Sequence, residues 1–189
     1  MTSPYFPDLS FQDNLSDELA RARRDGIVIF GSGNFARALK AALDQLGVVV
    51  NAFVVSQGPQ TTLDGIPVLP IADAIHENGC RHIWIGIFNH QPNANYGNLN
   101  RVCQELGFEH ILFPTQYFEL VASQLGWRFW LSARTDYQDH AAELQSAFDQ
   151  LEDDESKRLF ADTLTFRLGK SLQIPATPCS DLHYFPDTL

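Results

Sequence analysis

The chain alternates between short unbroken apolar runs and longer stretches in which apolar residues recur every three or four positions. NLSDELARARRDG (14–26) predicts a short amphipathic helix closed by Gly26. IVIF (27–30) predicts a buried strand. Asn34 to Leu46 predicts a helix with Phe35, Leu39, Ala42, Leu43 and Leu46 on one side. VVVNAFVV (48–55) is a β-branched strand, followed by a polar turn. GIPVLP (65–70) then reads as a short extended piece and IADAIHEN (71–78) as a short helix. HIWIGIF (82–88) is another strand, and NANYGNLNRVCQELG (93–107) a helix whose start Gly97 weakens. EHILFP (109–114) is a strand stopped by Pro114. Apolar strands alternating with helices predict βαβ units and a parallel sheet buried on both faces.

The remainder has a different texture. WRFWLSA (127–133) fits one more strand or an aromatic clamp. The segment from Tyr137 to Lys170 has helical spacing, with a break expected near Asp153–Asp154. The acidic run at 152–156 reads as a helix start on a solvated face. After Gly169 comes a Pro-containing extended tail. The expected organisation is a helical lead-in (1–25), an α/β domain (26–125), and a helical extension and linker (126–189).

The junction at 27–39, IVIFGSGNFARAL, carries the chemistry. Where a strand hands over to a helix, Gly31 permits a sharp bend and Gly33 lets backbone approach a ligand. Ala36, being small, lets helix and strand pack closely. Amides of residues 33 to 36 would then face outward at the positive end of the helix dipole, favouring an anion such as a diphosphate. The fold class expected is therefore α/β: a small doubly wound, mostly parallel Rossmann-like sheet with a C-terminal helical extension. The candidate binding residues are Gly31, Ser32, Gly33, Asn34, Phe35 and Ala36. Asn89 and His90, in the loop after the third long strand, join them at the same rim. The alternative is that the glycines only make a tight turn around an empty corner.

An NAD site also needs a carboxylate at the end of the second strand. Here that strand ends in Val54, Val55, Ser56 and Gln57, and Asp64 reads as part of a turn. No arginine stands nearby for a 2′-phosphate, so a standard NAD(P) site is disfavoured. His76, His82, His110, His140 and His183 show no metal-ligand spacing. No nucleophile with a matching base is visible, and no catalytic residue is assigned.

Composition narrows the partners. The formal net charge is −10, which opposes nucleic acid and anionic membrane surfaces, since both require clustered Lys and Arg. The three cysteines (Cys80, Cys103 and Cys179) are widely spaced and read as reduced thiols. The first residues lack the basic and apolar regions of a signal peptide, and no apolar run approaches the roughly 18 to 20 residues of a membrane span. A cytoplasmic protein is expected.

The block IVIFGSGNFARAL…GIPVLP resembles the N-terminal Rossmann-like domain that precedes the catalytic domain of FkbM-type, S-adenosylmethionine-dependent methyltransferases. RFWLSARTDY, then LEDDESKRLFADTLTFRL, then YFP near residue 184 extend the resemblance. It covers most of residues 25 to 187, and its most specific part runs from Asp154–Glu155–Ser156 to Phe166–Arg167–Leu168. The resemblance implies that the S-adenosylmethionine domain would begin just after YFP, whereas this chain stops at Leu189. It therefore implies an accessory binding half that transfers no methyl group by itself. The opening domain of sugar-nucleotide O-acyltransferases is loosely similar, through DGIPVLP and IGIFN. Residues 126 to 189 lack the hexapeptide period that follows it in that family. That likeness makes a nucleotide or nucleotide-sugar the preferred ligand of the glycine turn. Two further readings stay open: an NAD(P)-dependent oxidoreductase, and an interaction domain without a small ligand whose C-terminal helices at 138–169 serve as a homodimer or interdomain surface.

Overall fold

The computed structural model describes residues 6–11, 14–88, 95–126 and 131–173. In chain order these form α1 (Leu15–Asp25), β1 (Ile27–Phe30), α2 (Asn34–Gln45), β2 (Val50–Val55), β3 (Thr61–Leu63), β4 (Ile66–Pro70) and α3 (Ile71–Asn78). There follow β5 (His82–Ile85), α4 (Tyr96–Glu105), β6 (His110–Leu112), α5 (Pro114–Leu125), α6 (Arg134–Asp139), α7 (Ala141–Asp149) and α8 (Asp154–Arg167).

The strands make one six-stranded sheet in the order β3-β4-β2-β1-β5-β6. Only β3 is antiparallel to its neighbour; the other pairs are parallel. The parallel strands alone run 3-2-1-4-5, the Rossmann-like arrangement. β1 is central, and its four residues are all buried. Successive strand residues face opposite ways. Ile27 and Ile29 therefore join a core with α2 and α5, while Val28 and Phe30 join one with α3 and α4. A strand covered on both faces must be apolar throughout, which is why IVIF shows no alternation. Burying each such side chain stabilises the fold by roughly 1.5–3 kcal/mol.

Helices α1 and α8 pack against the α/β core, and the segment around Leu9 packs against α8. Ala22 of α1 lies in the same core as α2 and α5. Phe166 of α8 belongs to the opposite core, its ring stacked on Tyr96 at 6.1 Å. Leu9 packs with Leu164 and Leu168, flanked by Phe6, Phe11 and Phe160. The expected break between the last two helices falls at residues 150–153. Asp153 caps α8 by accepting the Ser156 amide at 2.7 Å.

Two elements depart from the sequence reading. The expected polar turn after β2 contains β3, which pairs with β4 through Thr61–Val68, Thr62–Pro67 and Leu63–Ile66. Pro114 does not merely stop a strand: it opens α5, where a missing amide costs nothing because first-turn amides have no helical partner. The Gln116 Oε1 accepts the Phe113 amide at 2.9 Å and fixes that start. Residues 127–130 of the aromatic segment and the tail from 174 onward lie outside the described residues.

Candidate functional site

The glycine turn stands where the sheet topology places ligands in such folds. From β1 the chain crosses to β2 on one side and, later, to β5 on the other. The strand order thus reverses between β1 and β5, opening a crevice at their carboxyl ends. Gly31 and Gly86 leave those two ends. The Gly31 amide donates to the Val54 carbonyl at 2.8 Å, and the Gly86 amide donates to the Phe30 carbonyl at 2.7 Å. The ladder thus continues one residue past each strand before the chains diverge.

The two glycines of the motif have different physical grounds. Gly31 has φ +109°, a region L side chains rarely adopt, and a Cβ there would sit 2.8 Å from Ile87 Cγ2. The fold itself requires glycine. Gly33 is the N-cap of α2 with φ −79° and ψ −174°, ordinary extended backbone, and a Cβ there would meet nothing within 4 Å. The fold places no demand for glycine at 33. Ala36 is fully buried and touches the β5 exit, as the motif requires: a Cβ on Gly86 would lie 2.9 Å from the Ala36 Cβ.

The start of α2 is polar and uncapped. No side chain caps it, and its first turn carries no acidic residue. Amides 34 to 36 precede the first helical bond, which runs from the Arg37 amide to the Gly33 carbonyl at 3.1 Å. The helix dipole adds about half a positive charge at this point. Gly33 and Asn34 are exposed, Ser32 and Phe35 half-buried. Phe35 reaches toward Phe88 beyond β5, ring centres 6.4 Å apart, so an aromatic contact joins the two loops of the crevice. Asn89 and His90 lie outside the described residues. Gly86, Phe88 and Arg37 were not singled out from the sequence. Gly86 was hidden inside an apolar run, although its place after a buried strand was the available signal.

Buried tyrosines hold the β5 exit in place. Tyr117 Oη donates to the Ile85 carbonyl at 2.7 Å, and Tyr96 Oη to the Ile87 carbonyl at 3.0 Å. Burial pushes both phenols above the usual tyrosine range.

The second strand ends at Val55, and Ser56 and Gln57 follow in exposed positions. Asp64 lies in the β3–β4 turn with φ 54°. β4 runs parallel to β2 with Pro70 beside Val55. Asp64, before the start of β4, is therefore at the amino end of the sheet, opposite the crevice. It cannot serve as a ribose carboxylate there. At that same end His82 and His110 meet edge to face, ring centres 4.5 Å apart. Among the described residues no three His, Cys, Asp or Glu side chains group to hold a metal, and no helix is long and apolar enough to cross a membrane. Comparison with protein-family models, with curated proteins and with solved structures finds no match.

Proposed function

We propose that this chain is a binding module whose β1–α2 turn holds the phosphate group of a nucleotide or nucleotide-sugar. The observation that carries the reading is Gly33. Its backbone suits any residue and its surroundings are open, so folding does not account for the absent side chain. A ligand pressed against bare backbone does. The uncapped amides 34 to 36 supply donors, the dipole supplies a favourable potential, and the open space beside Gly33 supplies room. With Ser56 and Gln57 after β2, the site offers the ribose neutral hydrogen-bonding groups in place of a carboxylate. A sugar-nucleotide fits that pattern better than NAD.

In this reading the chain is similar to the accessory domain of FkbM-type methyltransferases, and its role is to hold and position a substrate. The block from Asp154 to Leu168, which carries much of that resemblance, is occupied with structure. Asp153 caps α8, and Phe166 and Leu168 are buried. A thermal-shift series with nucleoside diphosphates, nucleotide-sugars and the matching nucleosides tests the proposal. A ligand at a hundred times its dissociation constant adds about 2.7 kcal/mol of stability. Diphosphates and nucleotide-sugars should stabilise the chain and nucleosides should not. Equal responses to all three overturn the phosphate-cradle reading.

A further inference from the structure

A second polar cavity opens between the segment before α1 and the end of α8. Residues of the N-terminal segment, the first turn of α5, the start of α6 and the end of α8 line a half-open cavity of about 500 Å³, within the range of small-ligand sites. Arg134, the first residue of α6, lines it with a side chain only 8% exposed. Its Nε donates to Glu119 Oε2 at 3.2 Å, and its guanidinium carbon lies 4.1 Å from the centre of the Phe11 ring. These contacts fix the plane of the group and occupy one edge. Nη2 is buried with no hydrogen-bond partner among the described residues. Buried polar groups in native proteins are nearly always partnered, and an unmade bond costs about 1–3 kcal/mol, more for a charged group. A guanidinium has donors only, so what is missing is an acceptor. Carboxylate and phosphate oxygens match its planar edge best.

The rest of the wall indicates the kind of molecule that brings the acceptor. Asn14, at the N-terminus of α1, lines the cavity with a side chain that does not cap its own helix. The carboxylate of Asp8 is already engaged, by the Ser10 amide at 2.9 Å and the Ser10 hydroxyl at 2.6 Å. Lys170 Nζ donates to the Asp8 carbonyl at 2.6 Å and stays within 3.6 Å of that carboxylate. Phe11, Leu15, Leu112 and Leu168 form an apolar remainder that a bare inorganic ion would leave uncovered. We propose that this cavity binds a small organic acid, with carboxylate or phosphate-ester oxygens on the Arg134 guanidinium and Asn14, and its carbon body against those apolar side chains. The site is independent of the glycine turn.

The test is a titration of the full chain with phenylacetate, phenyl phosphate and the neutral isostere phenylacetamide, followed by NMR of the Arg134 side-chain Nε–H and the backbone amides of 14–15 and 168–170. At least one anion should give saturable shifts confined to these signals, with the amide at least tenfold weaker. Whichever anion binds more tightly identifies the acid group. Arg134→Lys, which keeps the charge and loses the planar edge, should weaken binding at least tenfold. Asn14→Ala, at an exposed position, should weaken it about threefold even if Arg134→Lys does not fold. The proposal is overturned if neither anion saturates, if the amide binds as well as the acids, or if both variants that fold bind like the parent chain.

Discussion

Gly86 at the exit of β5 and Ala36 in the first turn of α2 stand so close that a Cβ on the glycine would lie 2.9 Å from the Ala36 Cβ. The same atom would lie 2.5 Å from Ile29 Cγ2 and 3.0 Å from the Phe30 carbonyl oxygen. This contact seats the helix start over the end of the central strands, and so sets the height of the amides in the crevice. Gly86→Ala should cost at least about 1–3 kcal/mol, the usual range for overpacking, because two of the three neighbours are held by the sheet. Urea unfolding measures it. A cost under about 0.5 kcal/mol would mean that the helix can lift away freely.

The β5 exit depends also on Tyr117, which is fully buried, stacked on Trp84 at 5.0 Å and bonded to the Ile85 carbonyl. Tyr117→Phe keeps the ring and removes the donor, so about 1–2 kcal/mol of stability should be lost. In the parent chain the buried phenols stay protonated at a pH where exposed tyrosines ionise. Their folded pKa values lie above the unfolded value of 10.0. Above that pH the unfolded chain releases protons that the folded one retains, so stability falls as pH rises further. Ultraviolet titration of native and urea-unfolded chain should show fewer ionising tyrosines in the native state.

At the amino end of the sheet His82 is buried beside His110, with Asp25, Arg21 and Glu18 facing it from α1. Desolvation, then the neighbouring His110, lowers its pKa below 6.5, with Asp25 opposing the shift. Between 6.5 and the lower folded value the unfolded chain binds the proton and the folded chain does not. Stability therefore falls as pH drops below about 6.5, and His82 adds no penalty above it. Unfolding midpoints between about pH 7.5 and 5.5 should decline less steeply for His82→Gln than for the parent chain. Parallel declines would remove His82 from the account.

Much of this architecture is legible in the residues. IVIF is apolar at four successive positions because both faces of β1 are covered, and the glycine turn follows it directly. β3 is not legible: its Thr61 and Thr62 are exposed, and no apolar alternation marks an edge strand. α5 was masked by Pro114, which looks like a stop unless the spacing of Tyr117, Phe118, Val121 and Leu125 beyond it is read as a helix face. Within the site, Gly31 and Ala36 hold the positions their motif implies. The role of Gly86 depends on a contact with a helix fifty residues earlier, which local sequence does not encode. Nor does anything around Arg134 announce that it is buried, since its covering groups come from Phe11 and Glu119.

The most direct test places a carboxylate where the phosphate is proposed to sit. At an N-cap with extended backbone, Gly33→Asp should accept a first-turn amide and complement the dipole of α2, raising stability by about 0.5 kcal/mol. The same carboxylate would occupy the amide donors and repel an anion. The expected result is a higher Tm for Gly33→Asp than for the parent chain, together with loss of the thermal shift given by nucleoside diphosphates and nucleotide-sugars. A variant that is equally or more stable and still responds to these ligands like the parent would contradict the central claim.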